Sequence, residues 1–239
     1  MKTASILLKK KLDKDIDHFL SNSQIHYLKK VLKVRKDESF HVYDGSGSRA
    51  SCIFTDHDKI TLLETSYFDQ HYTCSALVPF LKKNHFEFCL QKLVEIGVSK
   101  IFLYISEKTK HKFSAAKEST RSKRYEEIVE AAFLQSENFY LPEISILEDI
   151  YAMDFNNFQS ICVLHQMAEV KMNNKETYDL IVSGGEFGFS DNEEKFLKKS
   201  VLRLIDTNLF KKIILVNDHS NDKSREIAES LCKQFHYVQ

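Results

Sequence analysis

The chain has six glycines, and three of them, Gly184, Gly185 and Gly188, fall within the stretch SGGEFGFSDNE. Glycine adopts positive φ without strain and lets a ligand approach the main chain closely. This loop is therefore suited to presenting backbone N–H and C=O groups to something. It follows the apolar run DLIVS and precedes DNEEKFLKKSVLRLI, a strand–loop–helix layout. Ser190 or Asp191 can cap that helix, and Glu193 stands three residues after Ser190, as a capping box requires. In open α/β sheets ligands bind beyond the carboxyl ends of strands, where a loop turns into a helix. The same spacing also suits a tight turn that only joins the two elements. Neither a P-loop, which needs a Lys-Ser/Thr pair, nor GxGxxG fits.

Other chemistry-bearing residues are less concentrated. Lys29, Lys30, Lys33, Arg35 and Lys36 crowd into KKVLKVRK, and a second basic run carries Lys108, Lys110, Lys112, Lys117, Arg121, Lys123 and Arg124. Either run suits a phosphate backbone or a solvated helix face. His165 in CVLHQM and His219 in VNDHS lie at expected strand ends, where sites form, although a lone histidine there is more often structural. The spacing of the ten histidines and five cysteines offers no metal site, and no GxSxG elbow occurs.

These residues need a scaffold. In the first third, ESFHVYDG, SRASCIFTD and KITLLETSYF are short β-branched and aromatic segments separated by DGSGS and DHD turns, which predicts a small antiparallel sheet or barrel. A short helix is expected over SQIHYLKKVLKV. From about Ser75 onward strands (SALVPFL, KIFLYIS, SICVLHQM, DLIVSGG, KKIILVN) alternate with helical patterns (FEFCLQKLVEIG, AAKESTRSKRYEEIVEAAFLQSE, DNEEKFLKKSVLRLI, NDKSREIAESLCKQF), which predicts a mostly parallel α/β sheet with helices on both faces. The expected domains are 1–74 and 75–239. With 239 residues, 43% hydrophobic and 28% charged, the composition is that of an ordinary globular chain and a sizeable core can be buried, and zero net charge argues against nucleic-acid binding by overall charge while allowing a local patch. No apolar run reaches the length of a membrane span or a signal peptide, so a soluble, cytoplasmic protein is expected.

Taken together, the chain resembles the ribosomal RNA small subunit methyltransferase E family of the SPOUT class. IHYLKKVLKVRKDESFHVYDGSG is similar to the family's HHLxxVLRxxxGDxxxxxDGxG. FLKKNHFEFCLQKLVEIGVSKIFLYISEKT is similar to PKxxxxExxxQKxxELGVxxIxPxxSERS, aligning Glu87, Gln91, Lys92, Glu95, Gly97, Ser106 and Glu107. GGEFGFSDNE resembles GPEGGFSxxE at Gly184, Glu186, Gly188, Phe189, Ser190 and Glu193. The resemblance implies a PUA-like RNA-binding barrel ahead of an α/β domain with a C-terminal trefoil knot. It implies a homodimer that uses S-adenosylmethionine to methylate N3 of a uridine in 16S rRNA. Where the family has LGxRILRxETA, this chain has LFKKIILVNDH: the glycine is Phe210, the second arginine Leu215, and the glutamate and threonine are Asn217 and Asp218.

On this resemblance the donor is expected against Val163, Leu164 and His165, then Gly184, Gly185, Glu186, Gly188 and Phe189, and finally Leu209, Ile213, Ile214, Leu215 and Val216. RNA is expected at Lys29, Lys30, Lys33, Arg35, Lys108, Lys110, Arg121 and Arg124. Glu186 is the choice for a polar contact to donor or base, with Asp218 and His219 as candidates for handling the proton. Capping of the following helix is the structural alternative for Glu186. Two competing functions remain: an RNA-binding homodimer of this fold with impaired catalysis, and a nucleotide-binding enzyme of another α/β type.

Overall fold

A computed structural model describes residues 3–71, 73–109, 121–165, 177–206 and 212–216, with the backbone alone described beyond residue 200. The chain forms two compact units, residues 1–72 with 127–141, and residues 73–126 with 142–239.

The first unit contains β1 (Ser5–Leu7), β2 (His18–Phe19), α1 (Asn22–His26) running on into a π-turn at Tyr27–Val31, β3 (Phe40–Tyr43), β4 (Ser48–Phe54) and β5 (Lys59–Tyr67). The strands lie in the order β1-β3-β4-β5-β2, antiparallel except for the β1–β3 pair. The turn residues set the β3–β4 hairpin: the Asp44 carboxylate accepts the N–H groups of Ser46 (2.7 Å) and Ser48 (2.8 Å). Ser21 starts α1 with a capping box to Gln24. Alternate residues of β3 and β4 face inward, so Phe40, Val42, Ala50, Cys52 and Phe54 build the core with Leu28 and Ile60. The segment 127–141 joins this unit through aromatic contacts, Phe133 against Tyr43 (5.7 Å) and Phe139 stacked on Phe68 (3.6 Å). A boundary drawn at residue 74 does not provide for that return of the chain.

The second unit is an all-parallel sheet in the order β11-β9-β10-β6-β7-β8. Its strands are β6 (Ser75–Pro79), β7 (Lys100–Tyr104), β8 (Glu143–Ile146), β9 (Ser160–Leu164), β10 (Leu180–Ser183) and β11 (Lys212–Val216). Its helices are α2 (Lys83–Glu95), α3 (Ser122–Ser136), whose later residues pass into the first unit, and α4 (Asp191–Asp206). β6 is buried at every position, as a central strand of a parallel sheet must be. Leu77, Ile161, Val163, Leu180 and Val182 form the core with Phe189 and with Leu197 of α4. The expected strands all occur; β8, in LPEISIL, was not among them. The helix expected over NDKSREIAESLCKQF lies outside the described residues.

Candidate functional site

The strand register decides which loops meet. Ser183, the last residue of β10, pairs in register with Leu164 of β9, and Leu164 with Val216 of β11. The three strands therefore end at one level, at the carboxyl edge of the sheet. Val163 is buried in the sheet, Leu164 is exposed at the strand end, and His165 follows. Ile213, Ile214, Leu215 and Val216 lie within β11. Leu209, Asp218 and His219 lie outside the described residues.

The glycine loop is closed on itself. Gly188 N–H donates to the Gly185 carbonyl (3.0 Å), with Gly188 at φ +69°. A Cβ on Gly184 would stand 3.0 Å from the Gly188 carbonyl carbon, whereas one on Gly185 would meet nothing nearer than 3.7 Å. Gly184 is thus required by close approach and Gly188 by its backbone angle. Phe189 turns inward and stacks parallel to the His165 ring at 6.0 Å. His165 Nε2 also lies 3.0 Å from a Glu194 carboxylate oxygen, which ties the end of β9 to the first turn of α4.

Glu193 is the anchor beneath the loop, fully buried. Its carboxylate accepts the N–H of Ser190 (2.7 Å), the N–H of Glu107 (3.0 Å) and the hydroxyl of Ser106 (3.4 Å). Its own N–H donates to Ser190 Oγ (3.0 Å), completing a capping box. So the capping pair does more than start α4: it clamps the turn after β7 to the glycine loop. Glu107 takes the other side of that clamp, accepting from the hydroxyls of Ser190 and of Tyr151 (2.8 Å). The Ser190 bond, followed by that from Tyr151, holds the Glu107 carboxyl below its usual range. Burial, and then the bond to Glu107, pushes the Tyr151 phenol up to about 12.

Glu186 sits at the tip of the loop, with Oε1 3.4 Å from His85 Nδ1 at the start of α2. It faces a pocket whose lining includes Lys82, Ser106, Lys108 and Phe187, on the β6–β7 side of the loop. The carboxylate does not cap α4; Ser190 and Glu193 do that. Among the other expected RNA contacts, Lys29 lies over the Phe54 ring (4.6 Å) and donates to the His57 carbonyl (3.2 Å). Lys30, Lys33 and Arg35 are exposed in the first unit. Arg124 pairs with Glu87 (3.3 Å), Arg121 is exposed just before α3, and Lys110 lies outside the described residues. His85 and Tyr151 carried no signal in the sequence, whereas Ser106 and Glu107 stood in a family motif.

Residues 69–214 match the family model for the RNA methyltransferase domain, and residues 20–64 match that for the RNA methyltransferase PUA domain. This chain belongs to the RNA methyltransferase family. Over 190 residues it is 27% identical to the ribosomal RNA small subunit methyltransferase E of Synechocystis sp., covering 73% of this chain and 61% of that protein. It thus spans about six tenths of that relative's length. The ribosomal RNA small subunit methyltransferase E 2 of Borreliella burgdorferi is 22% identical, with 77% of this chain and 79% of the relative covered. The ribosomal RNA small subunit methyltransferase E of Neisseria gonorrhoeae, solved bound to S-adenosyl methionine, shares the fold with a TM-score of 0.70 at 19% identity, over 98% of each chain. The expected family and the expected fold, a parallel α/β domain accompanied by a PUA-like one, are borne out. A further model, for glycosyl transferase family 2, matches residues 191–239. It overlaps the RNA methyltransferase match and takes in the whole stretch, Phe210 to Asp218, where the chain departs from LGxRILRxETA.

Proposed function

We propose that this RNA methyltransferase family member transfers the methyl group of S-adenosylmethionine to N3 of a uridine in 16S rRNA. The observation that carries the reading is the common level at which β9, β10 and β11 end, with the closed glycine loop in the middle. The donor suits this place. The exposed Leu164 offers apolar surface to an adenine at the end of a strand whose middle residues, Ile161 to Val163, are buried. Residues Val163 to His165, Gly184 to Glu186, Gly188, Phe189, and Leu209 with Ile213 to Val216 would hold it. When bound, the donor supplies an electrophilic methyl group on a sulfonium centre.

The chain's own contribution is positioning, which supplies much of the rate in such transfers. Uridine N3 loses its proton as it takes the methyl, so a proton acceptor must stand near it, and Glu186, paired with His85, is the candidate within the described residues. The base must leave its stack to be reached, which suits looped RNA. A homodimer, a trefoil knot at the C-terminal end of the sheet and a cytoplasmic location belong to the same reading; no helix among the described residues is long and apolar enough to cross a membrane. The test is incorporation of labelled methyl from S-adenosylmethionine into 16S rRNA or small subunits, with the modified position read by mass spectrometry.

The glycosyl transferase match over 191–239 favours a second reading. If the segment after β11 is not of the methyltransferase kind, the third loop of the donor site is altered. The chain is then an RNA-binding homodimer of this fold with impaired catalysis. Calorimetry with S-adenosylmethionine separates the two: saturable binding supports the first, and no heat in the millimolar range supports the second.

A further inference from the structure

The ladder between β6 and β10 runs out of N–H groups just before the glycine loop. Ser75 N–H donates to the Asp179 carbonyl (2.7 Å), and the register pairs Leu180 with Ser75, Ile181 with Ala76 and Val182 with Leu77. Such a ladder repeats every two residues, so its next steps bring the N–H of residue 79 to the Ser183 carbonyl. Residue 79 is Pro79, one of two prolines in the chain, and proline has no N–H. The hydrogen comes instead from one strand further away. Tyr104, the last residue of β7 and the register partner of Pro79, reaches past β6 and donates its hydroxyl to the Ser183 carbonyl at 3.0 Å. Its side chain is fully buried in the core that contains Leu77, Val182 and Phe189, which leaves the hydroxyl little freedom. Burial, and then the Glu193 carboxylate, push the phenol above its ordinary range, which keeps it protonated and donating.

That bond stands at the entrance to the glycine loop. The Ser183 carbonyl and the Gly184 N–H belong to one planar peptide, so fixing the first aims the second. A Cβ on Gly184 would stand 3.0 Å from the Gly188 main chain and 3.1 Å from that of Phe189, so a turn of this peptide cannot stay local. The exit of the loop also hangs on the extension of β7, through the Ser106 hydroxyl and the Glu107 N–H that Glu193 accepts. We propose that Tyr104 is a positioning residue for S-adenosylmethionine: through the Ser183 carbonyl it sets the direction of the first backbone N–H of the loop that holds this ligand. The proposal deepens the methyltransferase reading and rests on it for the identity of the ligand.

The experiment compares the full chain with Tyr104→Phe and with the double variant P79A/Y104F, each checked by circular dichroism and measured well below its melting point. Tyr104→Phe keeps the ring and removes only the hydroxyl. Its affinity for S-adenosylmethionine, measured by calorimetry, is expected to fall roughly tenfold, the scale of one lost hydrogen bond. The loss falls on KM for that ligand, with kcat at saturation unchanged. In the free protein, amide exchange over residues 183–190, followed by mass spectrometry, should speed up more than exchange in β7 or β9. Alanine at position 79 supplies the missing N–H, so P79A/Y104F is expected to recover both the affinity and the slow exchange. A role confined to packing predicts no such rescue. Parental affinity in Tyr104→Phe overturns the proposal, and so does a double variant that fails to regain it. Should Tyr104→Phe alone not fold, the double variant must fold and bind, or the proposal falls. If the parent binds no S-adenosylmethionine, the methyltransferase reading fails by itself. Exchange at residues 183–190 then decides alone whether Tyr104 holds the loop: a rate unchanged in Tyr104→Phe overturns that role, and a faster rate reversed in the double variant upholds it.

Discussion

At the scale of single residues, the glycine loop separates three glycines that look alike in sequence. Gly188→Ala forces a left-handed backbone at φ +69° onto a residue with a Cβ, at a cost of about 1 kcal/mol. Gly184→Ala drives a methyl group to 3.0 Å from main chain that is fixed by the loop's own hydrogen bond, and overpacking of this kind costs about 1–3 kcal/mol. Gly185→Ala meets only ordinary contacts and should change stability by less than about 0.5 kcal/mol. Urea unfolding of the three variants checks the order. The clustering was legible in the sequence, but this ranking was not, because φ and the distance to non-bonded neighbours are set by how the loop closes. Glu186→Gln belongs to this scale as well: if donor affinity and turnover are both unchanged, Glu186 has no part in the chemistry. Cys52 is a simpler case. Burial within β4 pushes its thiol up to about 12, so folded protein should resist iodoacetamide there at mildly alkaline pH, as peptide mapping by mass spectrometry would show.

Among the elements, the start of α4 is the joint on which the site depends. Glu193→Ala removes a buried acceptor from two backbone N–H groups and a hydroxyl, and donors left unsatisfied in this way cost about 1–3 kcal/mol each. We expect a loss of several kcal/mol and a loosened glycine loop, measured by denaturation and by hydrogen exchange at residues 184–190. Glu107 adds a pH dependence whose sign follows from its bonds. Its folded pKa lies below the unfolded value of about 4.3, so its contribution is present above that pH and is lost as pH falls through the folded value. The difference in melting temperature between parent and Glu107→Gln should therefore shrink below about pH 4. A difference that stays constant into acid would contradict the proposed bonds. The capping pair Ser190–Glu193 was readable from its spacing. Its second task, holding the turn after β7, was not, since Glu107 and Glu193 are far apart in sequence and come together only through the β10–β6–β7 pairing.

For the whole molecule, the decisive question is the segment that supplies β11. Its backbone fills the edge of the sheet beside β9, in register with the strand ends of the site. Apolar, β-branched KIILV meets that requirement under either family pattern. Ending the chain after residue 206 would expose the unpaired edge of β9, with Ile161 and Val163 behind it. We expect aggregation, visible by light scattering, and no binding of S-adenosylmethionine. A monodisperse shortened chain that still binds the donor would show that β11 and its loop are not part of the site.

The sequence by itself determined the alternation of strands and helices, the loop where backbone freedom is spent, the capping residues and the family, because these depend on local periodicity and on spacing within short motifs. It did not reveal β1, β2 or β8, which are too short or too mixed in composition to announce a period, nor the return of 127–141 to the first unit. Only the tertiary structure decided which strand ends lie side by side and which carboxylates are already spent on hydrogen bonds. Those are properties of pairing order and of the partners that folding supplies, and neither is written in any one segment of the chain.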